Sequence, residues 1–282
     1  CDLRWKQSAG GNFLAAVNWE PEVLPGICSN LSFDLPQVYD VTLPSNLSVN
    51  SLSVSAGQVG LAGAGVLDVA GTLAVDNDAS LELTGGNTVT VPELALGFSG
   101  GTANLLLLAG ATLHVGNLLR IGGEGAGFLD VSDRPTPSIL TAKQVKLGDG
   151  RSSFQSGLSL SNHRASSWDS VDVGLEAPAV LRLKGEDTSL TLSSLRAGFV
   201  EQREGRVELA GKNCMLRVNS FASLGISGPS ALQVGAGATF SARELNVGGA
   251  TILAQSADDG LPSQLLVDAP DADTSLILGQ LT

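Results

Sequence analysis

The chain has 282 residues, with 16 basic and 28 acidic side chains, and a formal net charge of −12. This excess of negative charge argues against nucleic acid as a partner. No run of about 18 apolar residues occurs, so we expect no membrane-spanning helix. The chain holds two histidines and three cysteines, and no two of these cysteines form a Cys-x-x-Cys pair. We therefore expect no bound metal and no cofactor.

Residues 1–50 lack the regular repeat of the rest of the chain and are rich in aromatic residues, among them Trp5, Trp19 and Phe33. The first coil of a repeat stack would otherwise expose an apolar cross-section and unpaired strand edges. We therefore interpret residues 1–50 as an N-terminal cap.

Two further features of the cap concern covalent modification. Cys1 and Cys28 could form a disulfide in an oxidising compartment, or Cys1 could carry a lipid as in bacterial lipoproteins. Asn30 and Asn46 each begin an Asn-x-Ser sequence, which is the acceptor for N-glycosylation in organisms that glycosylate secreted proteins.

From residue 51 onward, short apolar-x-apolar triplets recur, and many of them end on glycine. Triplets of this kind precede Gly97, Gly122, Gly148, Gly174, Gly198 and Gly225. Two more triplets lie between successive members of this series, which predicts three short strands per repeat of about 21–27 residues. Alternation means that one side of each strand is buried, and glycine permits a sharp corner after it. The pattern predicts an all-β fold, a single-stranded, right-handed parallel β-helix, in which Leu147, Val173 and Leu195 stack on successive coils.

The cap and the first coils together carry a series of aromatic, glycine and proline residues at characteristic places. In order, these are Trp5, Gly10-Gly11, Phe13, Asn18-Trp19, Pro25-Gly26, Phe33, Val41-Thr42-Leu43 and Leu52-Ser53-Val54. The series resembles the start of bacterial secreted and surface β-solenoids of the autotransporter-passenger kind, and the ectodomain of amnionless begins with a similar segment. The resemblance implies an extracellular or cell-surface location.

Outward side chains at equivalent positions form ladders along the coils. On the first strand, Arg120, Lys146 and Arg196 surround Asp172 and could hold an anionic polymer. A simpler interpretation is that Asp172 bridges Lys146 and Arg196 on a solvated face. The second strand places no two carboxylates on adjacent coils, which argues against a polysaccharide lyase or hydrolase.

An irregular insertion at residues 161–169 interrupts the coils. It contains Asn162, His163, Arg164 and Trp168, and such a loop could stack its tryptophan on a sugar ring. The alternative is that the tryptophan only covers the edge of a coil.

Residues 276–281 still follow the repeat, so we expect the coils of residues 51–282 to continue beyond residue 282 or to be covered there by a second copy or another chain. These features favour a non-enzymatic structural or adhesive protein, such as a surface stalk, an adhesin or a subunit of an extracellular assembly that could also contact surface polysaccharide. The alternative is a carbohydrate-binding or carbohydrate-active β-helix.

Overall fold

The computed structural model describes residues 1–132, 136–163, 166–200, 203–248, 250–254, 264–267 and 276–278. The chain forms two compact units, residues 1–142 and residues 143–282. Both units consist of strands, and about 1% of the chain is helical. The helix seen in the described residues is a single 3₁₀ turn at Ala16–Asn18.

The strands of the first unit are short, and most of their side chains alternate between buried and exposed. They are β1 (Asp2–Trp5), β2 (Gly11–Asn12), β3 (Trp19–Glu20), β4 (Asn30–Phe33), β5 (Val38–Thr42), β6 (Leu47–Val49), β7 (Ser51–Val54), β8 (Gln58–Ala62), β9 (Val66–Val69), β10 (Thr72–Val75), β11 (Ser80–Leu83), β12 (Thr88–Leu96), β13 (Thr102–Leu107), β14 (Thr112–Ile121) and β15 (Ala126–Ser132). The next strand, β16 (Ile139–Leu147), contains the boundary between the units.

In the first unit these strands line three faces of a stack of parallel coils. The first face contains β4, β7, β10 and the second half of β12, the second face contains β5, β8, β11, β13 and β15, and the third face contains β6, β9 and the first half of β12. Strand β12 thus belongs to two faces, and its pairing register with β14 shifts between Val91 and Glu93. Pro92 lies at this shift, where a missing backbone N–H is tolerated. The prediction of three strands per coil is confirmed.

The register of the first unit places equivalent apolar residues on top of one another. On the first face Leu52 pairs with Leu73, and Leu73 pairs with Leu94. On the second face Leu61, Leu83 and Leu107 stack in the same way. Each of these side chains is almost completely buried, so the repeated residues form the core.

The N-terminal end of the first unit is closed by an aromatic cluster and by an antiparallel strand. Trp5, Phe13, Trp19, Phe33 and Tyr39 are buried, and the rings of Trp5 and Trp19 meet edge to face with centroids 5.1 Å apart. Strand β3 pairs antiparallel with β1, on the edge that a further parallel coil would otherwise use. The aromatic cluster and strand β3 thus cover this end of the first unit.

The predicted boundary at residue 50 is too late. Strand β4 already pairs in register with β7, with Leu31 beside Leu52 and Phe33 beside Val54. Strands β5 and β6 pair in parallel with β8 and β9. The coils therefore begin by Asn30, because Phe33 occupies an inward coil position that sequence inspection assigned to the cap.

The second unit repeats the same arrangement. Its strands are β17 (Ser156–Ser161), β18 (Ser166–Val173), β19 (Ala179–Lys184), β20 (Ser189–Ala197), β21 (Gly205–Ala210), β22 (Met215–Leu224), β23 (Ser230–Val234), β24 (Thr239–Val247), β25 (Ala250–Ala254), β26 (Gln264–Val267) and β27 (Leu276–Leu278). Strands β17, β19, β21, β23 and β25 pair successively on one face. The long strands β18, β20, β22 and β24 pair successively and line the other two faces.

The register of the second unit corrects one predicted stack. Val173 pairs with Leu147 on one side and with Ala197 on the other, whereas Leu195 pairs with Val171. The predicted stack of Leu147, Val173 and Leu195 is therefore wrong at its last member, because Ala197, two residues after Leu195, lies beside Val173. All of these side chains are buried, so the inward phase itself is correct. The two units together contain about ten parallel coils, and the architecture is a β-solenoid.

Glycine follows several first-face strands, and at Gly97, Gly122 and Gly174 it has a positive φ that other residues rarely adopt. Gly174 has a φ of +71°, and a Cβ added there would lie 2.8 Å from the N and Cα atoms of Gly205. A side chain at this corner would therefore meet the backbone of the next coil, and its backbone would be strained.

We expect Gly174→Ala to lower the free energy of unfolding by about 2 kcal/mol or more, because it adds left-handed strain and a backbone clash. Urea denaturation would measure the change. Gly26→Ala is the matched control, since no heavy atom lies within 4 Å of its added Cβ and its φ is not positive. Equal effects of the two substitutions would contradict the tight-corner interpretation.

Candidate functional site

The segment at residues 161–169 is not the loop that the sequence suggested. Strand β18 begins at Ser166, and Trp168 pairs with Leu192 of β20. Only 2% of Trp168 is exposed, so its ring packs in the core and cannot stack on a sugar at the surface. Of the two alternatives for Trp168, its burial is compatible with covering a coil and not with a surface contact to a sugar.

The neighbouring residues of this segment have structural partners. His163 is 2% exposed, and its Nε2 is hydrogen-bonded to the hydroxyl of Ser166. Asn162 has a φ of +52° at a corner, and its side-chain oxygen accepts a hydrogen bond of 3.0 Å from the backbone N–H of Glu186. Arg164 lies outside the described residues. The structure thus does not bring Asn162, His163 and Trp168 together as an exposed glycan contact.

The acidic residue of the first-face ladder is buried. Asp172 is 4% exposed, and both of its carboxylate oxygens accept hydrogen bonds of 2.8 Å from Nε and Nη2 of Arg196. Lys146 lies beside Asp172 in the register of the preceding coil. The predicted bridge from Asp172 to Arg196 is present, but Asp172 is buried and does not lie on a solvated face. The guanidinium from the next coil binds its carboxylate in the planar two-bond geometry.

Two basic residues of the predicted anionic-polymer ladder, Arg120 and Arg196, have contacts within the protein. The Arg196 guanidinium that binds Asp172 also lies 5.1 Å from the ring centroid of Phe199. In the first unit, the Arg120 guanidinium lies 4.5 Å from the ring centroid of Phe98. Each contact is in the range of a cation–π interaction. Arg196 and Arg120 therefore contribute to the coils themselves.

Four charged side chains of the second unit form a cluster of ion pairs. The Arg206 cluster consists of Arg182, Glu204, Arg206 and Glu208. Arg182 Nε lies 2.7 Å from Glu208 Oε2, and Arg206 Nη2 lies 3.0 Å from Glu204 Oε1. Arg206 Nη1 also lies 3.5 Å from Glu208 Oε1, so Arg206 links the two carboxylates. The hydrogen bond from Arg206 to Glu204 raises the pKa of Arg206 and keeps it charged.

The signal for this cluster was present in the sequence. Arg206 precedes Glu208 by two residues and therefore shares its outward phase on β21. Glu204 could not be predicted in this way, because it precedes β21 and lies outside the alternation of buried and exposed residues on that strand.

The two candidate glycosylation residues differ in accessibility. The side-chain NH₂ of Asn30 donates a hydrogen bond to Asp2, and its oxygen accepts one from Asn50, at distances of 2.8 and 2.7 Å. Asn46 is exposed, and its oxygen accepts a longer bond of 3.3 Å from the backbone N–H of Val66. A glycan on Asn46 would therefore disturb fewer contacts than a glycan on Asn30.

The cysteines occupy two different environments. Cys1 and Cys28 are exposed, and their sulfur atoms lie 3.4 Å apart. Cys214 is buried, and this burial raises the pKa of its thiol to about 11.

Metal-ligating side chains do not converge in the described parts of the two units. Within them, no group of three or more His, Cys, Asp or Glu residues could hold a metal ion. The described residues likewise contain no helix with the length and apolar character of a membrane span.

Comparisons of the chain with protein-family models, with curated proteins and with solved structures found no match. The class of the protein is therefore defined by its architecture, which is that of a parallel β-solenoid with charged side chains paired between coils.

We expect Asp172→Asn to lower the free energy of unfolding by about 1–2 kcal/mol, because it removes the charge from two hydrogen bonds to Arg196. Thermal and urea denaturation would measure the loss. Asp169→Asn is the control, since Asp169 is an exposed acidic residue of the same strand. If both variants were as stable as the native protein, the buried pair would not contribute to coil stacking.

Proposed function

We propose that this protein is a non-enzymatic structural or adhesive β-solenoid of an extracellular or cell-surface assembly, acting as a stalk, an adhesin or an assembly subunit. One observation carries the proposal. Outward polar side chains of one coil bind outward polar side chains of the adjacent coil. Asp172 binds Arg196, Arg182 binds Glu208, and Asn213 binds Asp187 in this way. An exterior of this kind stabilises a repeated scaffold.

The cap supports the extracellular part of the proposal. Its aromatic series resembles the start of autotransporter-passenger solenoids, and the structure packs Trp5, Phe13, Trp19 and Phe33 into one buried cluster. These four aromatic residues belong to the series that resembles such solenoids, and together they cover one end of the stack.

Strand edges supply a means of assembly. Among the described residues, β25 pairs with β23 alone, and β26 and β27 each pair with β24 alone. An unpaired strand edge presents backbone N–H and C=O groups to which a parallel strand can add. We propose that another coil, from a second copy or another chain, stacks on this side of the second unit.

The assembly proposal predicts that the average mass measured by light scattering rises with protein concentration. Leu253→Lys should shift this rise to at least several-fold higher concentration, because a lysine on an edge strand opposes strand addition. Leu253 is 50% exposed on β25.

Met215→Lys is the matched control for this measurement. Met215 is 43% exposed, but its strand β22 is paired on both sides, with β20 and β24. The variant should associate like the native protein. A native protein that stays monomeric at all concentrations, or equal effects of the two lysines, would contradict assembly through β25.

The alternative function is a carbohydrate-binding or carbohydrate-active protein, and the Arg206 cluster is the observation that favours it. Its two carboxylates, Glu204 and Glu208, are close enough to share one arginine, and carboxylate pairs are the usual acids and bases of glycoside hydrolysis. Both carboxylates are already paired with arginines in the structure, which supports the scaffold interpretation instead.

A reducing-sugar release assay on acidic and neutral polysaccharides, combined with a glycan array, distinguishes the two functions. We expect the native protein to release no sugar. We expect the glycan-array signal of Arg206→Ala to equal that of the native protein. Arg217→Ala is the control, because Arg217 is exposed and lies outside the cluster. Release of sugar that Arg206→Ala abolishes and Arg217→Ala preserves would establish the carbohydrate-active alternative.

A further inference from the structure

Two thiols of the first unit are held side by side at its N-terminal end. The Sγ atoms of Cys1 and Cys28 lie 3.4 Å apart, and both residues are exposed. The backbone around them fixes this approach. The N–H of Asn30 donates a hydrogen bond of 2.9 Å to the carbonyl of Cys1, and Asp2 pairs with Asn30 where β1 and β4 run in parallel.

Side chains and a turn further restrict the two segments. Asn30 Nδ2 donates to Asp2 Oδ1 at 2.8 Å, next to Cys1. Before β4, the N–H of Ser29 donates to the carbonyl of Gly26, and the Ser29 hydroxyl accepts a bond from the N–H of Gly26. Cys28 therefore lies in a closed turn. Little further ordering is needed to bring its sulfur to that of Cys1.

We infer that Cys1 and Cys28 are a disulfide site that locks the start of β1 to the turn before β4. The inference goes beyond the proposed function and does not depend on it. The oxidant is a low-molecular-weight disulfide such as oxidised glutathione. One protein thiolate attacks it and releases one glutathione, and the second protein thiolate then attacks the mixed disulfide and releases the other. The protein loses two protons and two electrons, and the glutathione disulfide gains them.

The bond would close a loop that contains most of the aromatic cluster. Trp5, Phe13 and Trp19 lie between the two cysteines in sequence and are completely buried. Strand β1 is held by β4 on one edge, whereas β3 covers only two residues of the other edge. A covalent link from Cys1 to the turn before β4 would therefore oppose fraying of β1, which in turn covers the cluster.

Cys214 provides an internal control, because it is the third cysteine and has the opposite environment. It is completely buried on the inward side of the coil, between Asn213 and Met215. Its raised pKa keeps it protonated near neutral pH, so it should react slowly with disulfides and with maleimides in the folded protein.

The test starts from the reduced full-length chain, incubated with oxidised glutathione and then treated with a maleimide under native conditions. We expect the native protein to lose both exposed thiols, to retain no glutathione, and to yield a peptide that joins Cys1 to Cys28. Its melting temperature should rise by roughly 5 °C, and a reductant should reverse the rise. Cys214→Ala should give the same cross-linked peptide and the same rise.

Cys1→Ser and Cys28→Ser separate a disulfide from ordinary thiol reactivity. Each variant should retain one glutathione on the remaining cysteine and show no rise in melting temperature, because the second displacement cannot occur. Both substitutions are at exposed positions and should leave the fold intact. The inference would be overturned if the native protein carried two separate glutathione adducts, formed only intermolecular disulfides, or had a lipid on Cys1.

Discussion

The backbone register between successive coils is the constraint on which the rest of this structure depends. Parallel pairing places residue on residue, so that Leu52, Leu73 and Leu94 share one inward column. A slip of one residue would turn every inward side chain of a strand toward solvent, and the apolar core opposes such a slip strongly. Irregularities are therefore confined to corners, such as Pro92 and the left-handed glycines, where pairing can be interrupted.

The same register determines what the exterior can do. Because outward residues are also brought above one another, opposite charges on adjacent coils meet without any folding of a loop, as Asp172 and Arg196 do. The two pairs have similar exposure. The carboxylates of Asp172 and Glu208 are 6% and 17% exposed, and their partners Arg196 and Arg182 are 41% and 44% exposed. Water therefore screens both pairs from the arginine side.

The sequence predicts the inward columns well and the surroundings of individual side chains poorly. The three strands per coil follow from the alternation of apolar and polar residues, which reflects the geometry of an extended backbone. The corners follow from the glycines after the apolar triplets. The burial of Trp168 was not predicted, because its sequence neighbours are polar. Its spacing was nevertheless informative, since Trp168 precedes Val171 by three residues just as Leu192 precedes Leu195. The burial of Asp172 could not be read from alternation, since it depends on how far the Arg196 side chain reaches from the next coil.

The strand edges at β1 and at β25 differ in how readily they could accept an additional strand. At the N-terminal end, antiparallel β3 covers the edge of β1, and the rings of Trp5 and Trp19 fill the cross-section, so strand addition there would require the removal of buried aromatic surface. The described edge of β25 has an exposed leucine, Leu253, and no antiparallel cover among the described residues. Strand addition to β25 removes apolar surface from water instead of exposing it. Under the proposed assembly, a new strand would therefore add to β25 of the second unit and not to β1 of the first unit.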